Sequence, residues 1–470
     1  MLICPLGKTP EKTAKPGILK MTKQTANIAS FANHMPDVVA IRRHLHRNPE
    51  IGLSEFKTSD FIAGQLLKMG YEVTRGLAGT GIVATLSNGD STRTLGIRAD
   101  IDALPIHEET GADYASANQG VMHACGHDGH TAMLLGAAKI IAERKNFDGT
   151  LHLIFQPGEE NFGGARIMIE DGLFERFPCD AVFALHNDPG LPFGQFVLRE
   201  GPILAAVDEC KITVNGYGGH GAEPQDAADP IVAGASIIMA LQTVVSRNIH
   251  PQLSAVVTVG AFHAGAASNV IPETAEMLLT IRSFDPGVRD ELEKRIRAIA
   301  EGQAGSYGMS VTIDYERGYN ATVNHKAETD YVADLARRFA GTERVAEMQR
   351  PSMGAEDFAY MLEKRPGCYF FLGTARTDND PPLHHPKFDF NDDILPIGTT
   401  FWVDLAEDYR MNSAMSMVSK GCAGRRNPSK TCRCAPFCLH PPQCHQHRGW
   451  SAAALISMPE FSLISCRGRR

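Results

Sequence analysis

Three histidines and a cysteine fall within eight residues, His123-Ala124-Cys125-Gly126-His127-Asp128-Gly129-His130, in a glycine-broken turn just ahead of an apolar helical stretch at 131–141. Imidazole and thiolate crowded in this way make metal-ligand chemistry. Four more candidate ligands lie downstream at the ends of apolar, strand-like runs: the pair Glu159-Glu160, His186 and His384. One such motif alone is a weak sign of a metal centre; the set is strong. Adjacent carboxylates in a loop can divide labour, one ligating a divalent ion while its neighbour takes a proton from water and later hands it to a leaving amine. The plain alternative is a solvated acidic pair. It fits poorly here, because Glu159-Glu160 closes a hydrophobic run through Gln156-Pro157-Gly158 and is followed by Gly163-Gly164.

The elements that must position these residues alternate in period. Strand-like runs at 81–86, 94–99, 150–156 and 181–186 are separated by helical stretches at 54–69, 131–143 and 164–170, which predicts an α/β sheet covered on both faces. The candidate ligands then sit at strand ends, where sites of open α/β sheets gather. From Asp208 the pattern becomes strand 210–214, helix 230–247, strand 254–262, strand 276–283, helix 288–306 and strand 310–315. That β-α-β-β-α-β order predicts a ferredoxin-like α+β domain inserted into the first. After Tyr319 the α/β pattern returns, with helices near 329–340, after Ala355 and at 401–409, and a strand at 368–373. The predicted organisation is a discontinuous catalytic domain, 36–207 and 319–410, an inserted lid or dimerisation domain, 208–318, and extensions at 1–35 and 411–470.

Composition narrows the function classes. A chain of 470 residues, 43% hydrophobic and 21% charged, is ample for two domains with cores. Its net charge is −8, but residues 411–470 hold nine Lys/Arg against the single acid Glu460, which leaves residues 1–410 at about −16. An acidic body argues against nucleic acid as a partner. The longest apolar helical stretch, 231–245, is too short for a membrane span. The apolar start followed by Lys8, Lys12 and Lys15 reverses the order of a secretory signal, so the expected location is cytoplasmic. Cys4, Cys125, Cys179, Cys210 and Cys368 are too scattered for a disulfide framework. The remaining cysteines crowd the tail, which lacks helical or strand period and reads as an extension unrelated to the fold; a small zinc site there is the alternative. Met21 reads as a second possible start.

Across about 36–410 the chain resembles the aminoacylase/carboxypeptidase family of two-metal hydrolases, and within it the amidohydrolase branch of hippurate hydrolases and auxin-conjugate hydrolases. The resemblance rests on Gly96-Ile97-Arg98-Ala99-Asp100-Ile101-Asp102-Ala103-Leu104-Pro105, the His123 to His130 cluster, Phe155 to Glu160, Gly218-Gly219-His220-Gly221-Ala222-Glu223-Pro224, Ser268-Asn269-Val270-Ile271-Pro272, Ser352-Met353-Gly354-Ala355-Glu356-Asp357-Phe358 and Leu383-His384-His385-Pro386. It implies a metal-dependent exopeptidase-like α/β catalytic domain carrying the ferredoxin-like insertion.

By that resemblance Cys125, His127, Glu160, His186 and His384 hold two divalent transition metals and Glu159 is the general base. Thiolate with imidazole and carboxylate suits Mn, Zn, Co or Ni, without choosing among them, and argues against Mg. His123, Asp128 and His130 read as supporting groups, and His44 and His46, on a polar helix end, as surface or packing residues. The carboxypeptidase branch carries a His-x-Asp ligand motif where this chain has Arg98-Ala99-Asp100. The resemblance also makes His220 an oxyanion stabiliser and Asn269 and Arg282 clamps for a substrate carboxylate, reaching a site that is often a second subunit's. A sheet-face ion pair is the alternative for Arg282. The expected function is metal-dependent amidohydrolysis of N-acyl or N-aroyl amino acids by a homodimer or higher homo-oligomer. The other readings are a dipeptidase or carboxypeptidase, or a catalytically inactive metal-binding protein on the same fold.

Overall fold

Runs that are apolar at nearly every position are what a strand covered on both faces requires. Leu151, Leu153, Ile154 and Phe155 form one such run, Val182 to Leu185 another, and in the computed structural model none of these residues is more than 2% exposed. The structure describes residues 28–160 and 162–409; the tail cysteines and Met21 lie outside the described residues.

Along the chain, α1 (Met35–Arg47) and α2 (Phe56–Lys68) precede β1 (Glu72–Leu77), β2 (Gly81–Asn88) and β3 (Thr94–Asp100). Then come α3 (His127–Arg144), β4 (Gly149–Gln156), α4 (Gly164–Glu170), β5 (Ala181–Asp188) and β6 (Phe196–Leu198). The next stretch holds β7 (Ala206–Asn215), α5 (Pro230–Thr243), β8 (Ala255–Ala264), β9 (Thr274–Ser283), α6 (Pro286–Ser306) and β10 (Ser310–Arg317). Last are α7 (Lys326–Ala340), β11 (Val345–Glu347), α8 (Phe358–Lys364), β12 (Gly367–Gly373) and α9 (Leu395–Asp408).

Eight strands form one mixed sheet in the order β1-β2-β4-β3-β5-β12-β6-β11. At its centre β3 runs parallel to β4 and β5, and β5 parallel to β12, so the carboxyl ends of four strands share one edge. Helix α3 packs against α1 and α9, and the sheet carries an apolar core on each face. Phe31, which the sequence assigned to the N-terminal extension, is 4% exposed within the first of these cores.

The other four strands form an antiparallel sheet ordered β8-β9-β7-β10, the order of a ferredoxin-like unit. Period 2 is visible in β9, where Ala275, Met277, Leu279 and Ile281 point inward onto Ile237 and Leu241 of α5 and Leu292 and Ile296 of α6. The opposite face of this sheet carries no helix among the described residues.

Three local readings change. Helix α3 begins at His127 rather than 131, because Gly126 at φ +97° turns the chain into its first residue. Strands β1 and β6 gave no sequence signal: β1 carries Glu72, Arg75 and Gly76 at the sheet edge, and β6 is three residues long. The apolar stretch at 231–245 belongs to a helical run of 19 residues, Pro230–Asn248, with mean hydropathy 1.4, long and apolar enough to cross a membrane. Its length therefore excludes nothing, and its packing decides the matter. Ala233, Ile237, Leu241 and Val244 are 0% exposed in the core beneath the four-stranded sheet, the place of a core helix.

Candidate functional site

Each candidate donor reaches the carboxyl edge of the large sheet by its own route. Gly126 carries the chain from Cys125 into α3 and leaves no room for a side chain, since a Cβ there would stand 2.3 Å from Asn187 Oδ1. Glu159 and Glu160 leave the end of β4, and His186 lies near the end of β5. His384 comes in on a loop after β12, with φ +66°, unusual for a residue with a side chain. Its backbone N–H donates to Ala124 O at 2.8 Å, which fastens it beside Cys125.

The donor atoms converge in three overlapping sets, each spanning no more than 4.8 Å: Cys125, His127 and His186; Cys125, Glu160 and His384; and His127, Glu159 and Glu160. Cys125 Sγ is 3.3 Å from His186 Nε2, and Glu160 Oε1 is 3.1 Å from His384 Nε2. Both buried imidazoles are held by the nitrogen that faces away. His127 Nδ1 lies 3.0 Å from Asp102 O and 3.2 Å from its Oδ1, and His186 Nδ1 lies 2.7 Å from Asn187 O. Ring orientation by an oxygen behind the imidazole is how proteins set a metal-binding histidine. Asp102 also accepts from Glu160 N at 2.9 Å.

Two observations test whether a divalent metal fits. His127 Nε2 is buried without a hydrogen-bond partner, a costly state unless something else takes it. The cluster is also electrostatically incomplete. Burial, and then Glu356, Glu160 and Asp357, push the Glu159 carboxyl well above the usual carboxylate range. Burial likewise raises the Cys125 thiol and pulls His186 well below the usual histidine range. A cation among these groups reverses the shifts of Glu159 and Cys125 and keeps His186 neutral, the form that ligates, so the donor set fits a soft-to-borderline divalent ion.

The supporting groups are those the sequence placed around the ligands. His130 is 2.6 Å from Asp100 and 2.7 Å from Asn187. Asp128 forms an ion pair with Arg42 at 3.0 Å and a hydrogen bond with His46 at 2.8 Å. His44 stacks on Phe61 with centroids 4.3 Å apart. His46, by contrast, is no surface residue: it is 0% exposed, between Asp128 and Glu108. Burial opposes its charge, but those two hydrogen bonds carry its pKa up to about 9.

Other groups went unassigned in the sequence. Arg98, 1% exposed, spans Asp100 (2.8 Å), Glu356 (2.9 Å), Asp357 (3.3 Å) and Gln156 (2.8 Å). It engages Asp100, the acid of the Arg98-Ala99-Asp100 triplet. It also anchors Glu356 and Asp357, whose carboxylates lie within 4.8 Å of Glu159. The only available signal was the Glu356-Asp357 pair itself.

The cluster opens onto a cavity of about 750 Å³ with Leu204, Met348, Met353 and Phe371 among its apolar walls. Arg282 lines it, is the one Lys/Arg among the lining residues, and takes part in none of the ion pairs among the described residues. His220 and Asn269 are elsewhere. Gly219–His220 pairs with Val270–Ile271 in a separate two-stranded ribbon, Gly221 N donates to Asn269 O at 2.8 Å, and neither residue lines the cavity of its own chain.

Residues 96–408 match the sequence profile of the peptidase family M20/M25/M40. The chain is 42% identical over 372 residues to a hippurate hydrolase of Campylobacter jejuni, covering 78% of this chain and 95% of that protein. It is 38% identical over 418 residues to an N-acetyl-L-cysteine deacetylase of Bacillus subtilis, covering 88% and 97% respectively. The crystal structure of Bacillus subtilis YXEP protein, described as a dinuclear metal binding peptidase from M20 family, superposes with a TM-score of 0.70 at 33% identity, covering 81% of this chain and 99% of that one.

Proposed function

The chain belongs to the peptidase family M20/M25/M40, and on that premise we propose that it is a metal-dependent amidohydrolase cleaving N-acyl and N-aroyl amino acids, hippurate-like, into a carboxylic acid and a free amino acid. The observation that carries this reading is the orphaned buried His127 Nε2, held within 4.8 Å of donor atoms of Cys125, His186, Glu159 and Glu160.

In this reading Cys125, His127, Glu160, His186 and His384 hold the metal, two ions per subunit of Mn, Zn, Co or Ni. When bound, such ions supply Lewis acidity toward the acyl carbonyl and toward water. Glu159 is the proton carrier: its carboxylate takes a proton from the attacking water and returns it to the amine nitrogen as the C–N bond breaks. Arg98, through Glu356 and Asp357, holds the acids beneath Glu159 at fixed distance. Arg282 takes the substrate carboxylate as the free cation of the cavity wall, with Asn269 as second clamp.

His220 stabilises the oxyanion by reaching the site from a second copy of the chain, so the active form is a homodimer or higher homo-oligomer. Support comes from the position of His220 and Asn269 outside their own chain's cavity. Exposed Ile231, Val232 and Met239 on α5 add to it. A cytoplasmic location completes the reading, supported by Cys125, Cys179, Cys210 and Cys368 being free thiols.

The test is a panel of N-acyl amino acids and dipeptides, run on protein of measured metal content. Hippurate-type substrates should be hydrolysed, chelation should abolish turnover, and Mn, Zn, Co or Ni should restore it. Preference for dipeptides would favour the dipeptidase or carboxypeptidase reading, and no turnover with metal bound would favour an inactive metal-binding protein. Full activity in exhaustively metal-free protein would overturn the mechanism.

A further inference from the structure

The chain crosses between the two sheets twice, outbound at 204–208 and inbound at 317–320, and the crossings are fastened to each other. Val207 N donates to Tyr319 O at 3.0 Å. Arg289 of α6, 7% exposed, donates to Asp208, to Gly318 O at 3.0 Å and to Asn320. Tyr360 of α8 donates to Gly318 O at 3.3 Å. None of these bonds reaches the metal cluster.

Tyr319 does reach it. It lines the cavity of the cluster, and its hydroxyl both donates to Glu159 O at 2.6 Å and accepts from Gly163 N at 3.0 Å. One atom thereby ties together both ends of the turn that presents Glu159 and Glu160. The turn is bounded by Gly158 at φ +59° and Gly163 at φ +68°, the residues with the least resistance to backbone rotation. The sequence on its own gives this turn little stiffness; the phenol supplies a brace from a different part of the fold. Burial holds that phenol protonated, so it stays a donor to the Glu159 carbonyl.

We propose that Tyr319 is a positioning residue for the reaction: its hydroxyl, reaching in from the crossing, sets the turn carrying Glu159. This rests on the reading of Glu159 as general base. A carboxylate displaced by about 1 Å from its proton-transfer geometry costs on the order of 10²-fold in rate, so a brace of this kind acts on kcat rather than on substrate affinity.

The experiment compares Tyr319→Phe with Tyr360→Phe in the full-length, metal-loaded protein with hippurate as substrate. Tyr319→Phe should lower kcat by about 10- to 100-fold with KM within about twofold, at unchanged metal content, and should speed amide hydrogen exchange in the peptide covering Gly158 and Gly163. Tyr360→Phe, which loosens the same crossing without touching the turn, should keep kcat and exchange at wild-type values. Wild-type kcat or unchanged exchange in Tyr319→Phe would overturn the proposal, as would losses of kcat and KM that match those of Tyr360→Phe. Glu159→Gln, assayed in parallel, reports on the base alone: its retention of activity would retire that role, whereas the exchange measurement speaks only to the brace.

Discussion

The metal end of the large sheet and the ribbon that bears His220 place their polar residues in opposite ways. At the first, four strands end on one edge and the candidate donors converge in overlapping sets, with Cys125, His127, Glu159 and His186 buried and His384 closing the cluster from the exposed side. At the second, Gly219–His220 and Val270–Ile271 form a short antiparallel pair that holds His220 exposed, with Tyr217 and Val270 at 64% and 53% exposure nearby. Parallel strands concentrate chemistry within one chain because their ends converge. A ribbon displays chemistry outward and needs something brought to it. The comparison therefore predicts a site whose core is complete in one chain and whose oxyanion partner arrives from another.

The largest effect belongs to the convergent end. Glu159→Gln should keep the metal and lose about 10²- to 10⁴-fold in kcat, while Glu160→Gln should lower metal content, as metal analysis beside initial rates will show. If both variants kept metal and rate alike, the division between carrier and ligand would fall. Next in size is the ribbon: His220→Ala should cost about 10²- to 10³-fold. Mixing it with Glu159→Gln should restore activity, since a mixed dimer has one site with both groups intact. Silence after proven subunit exchange would return the ribbon to a structural role.

Arg282→Ala should act mainly on KM, raising it about 10-fold or more for the roughly 1.5–3 kcal/mol of a charge-assisted hydrogen bond; a change confined to kcat would argue against a carboxylate clamp. The smallest effect concerns stability. Because the pKa of His46 is raised from 6.5 to about 9 in the folded chain, its stabilising contribution is complete below about pH 6.5 and lost as the pH rises through about 9. The melting temperature should fall across that window, and His46→Asn should flatten the slope. An equal slope in the variant would place the titration elsewhere.

What the sequence made legible was rare chemistry and strong period. Cysteine and histidine spaced as at 123–130 have few other uses, and the β-α-β-β-α-β order of 208–318 followed from apolar positions alone. The unread parts depend on distance along the chain. Arg98 meets Glu356 across 258 positions, and charged residues ordinarily face water, so no local pattern announces a buried cation among acids. For His46 the sequence left surface and packing open, because its neighbours Arg43 and Arg47 are polar; its partners, Glu108 and Asp128, lie far along the chain. Tyr319 carries no motif; its role is visible only where the crossing meets the turn.

The position of β12 also has a consequence for how the molecule comes into being. It lies between β5 and β6, so a chain synthesised from its amino end holds five paired strands on one side and the β6–β11 pair on the other before the strand that joins them exists. His384 emerges later still, after its four fellow candidate donors have long been available as an unfinished cup. A ribosome that stops early therefore releases a sheet with open edges and a cluster short of its last imidazole, both recognisable defects.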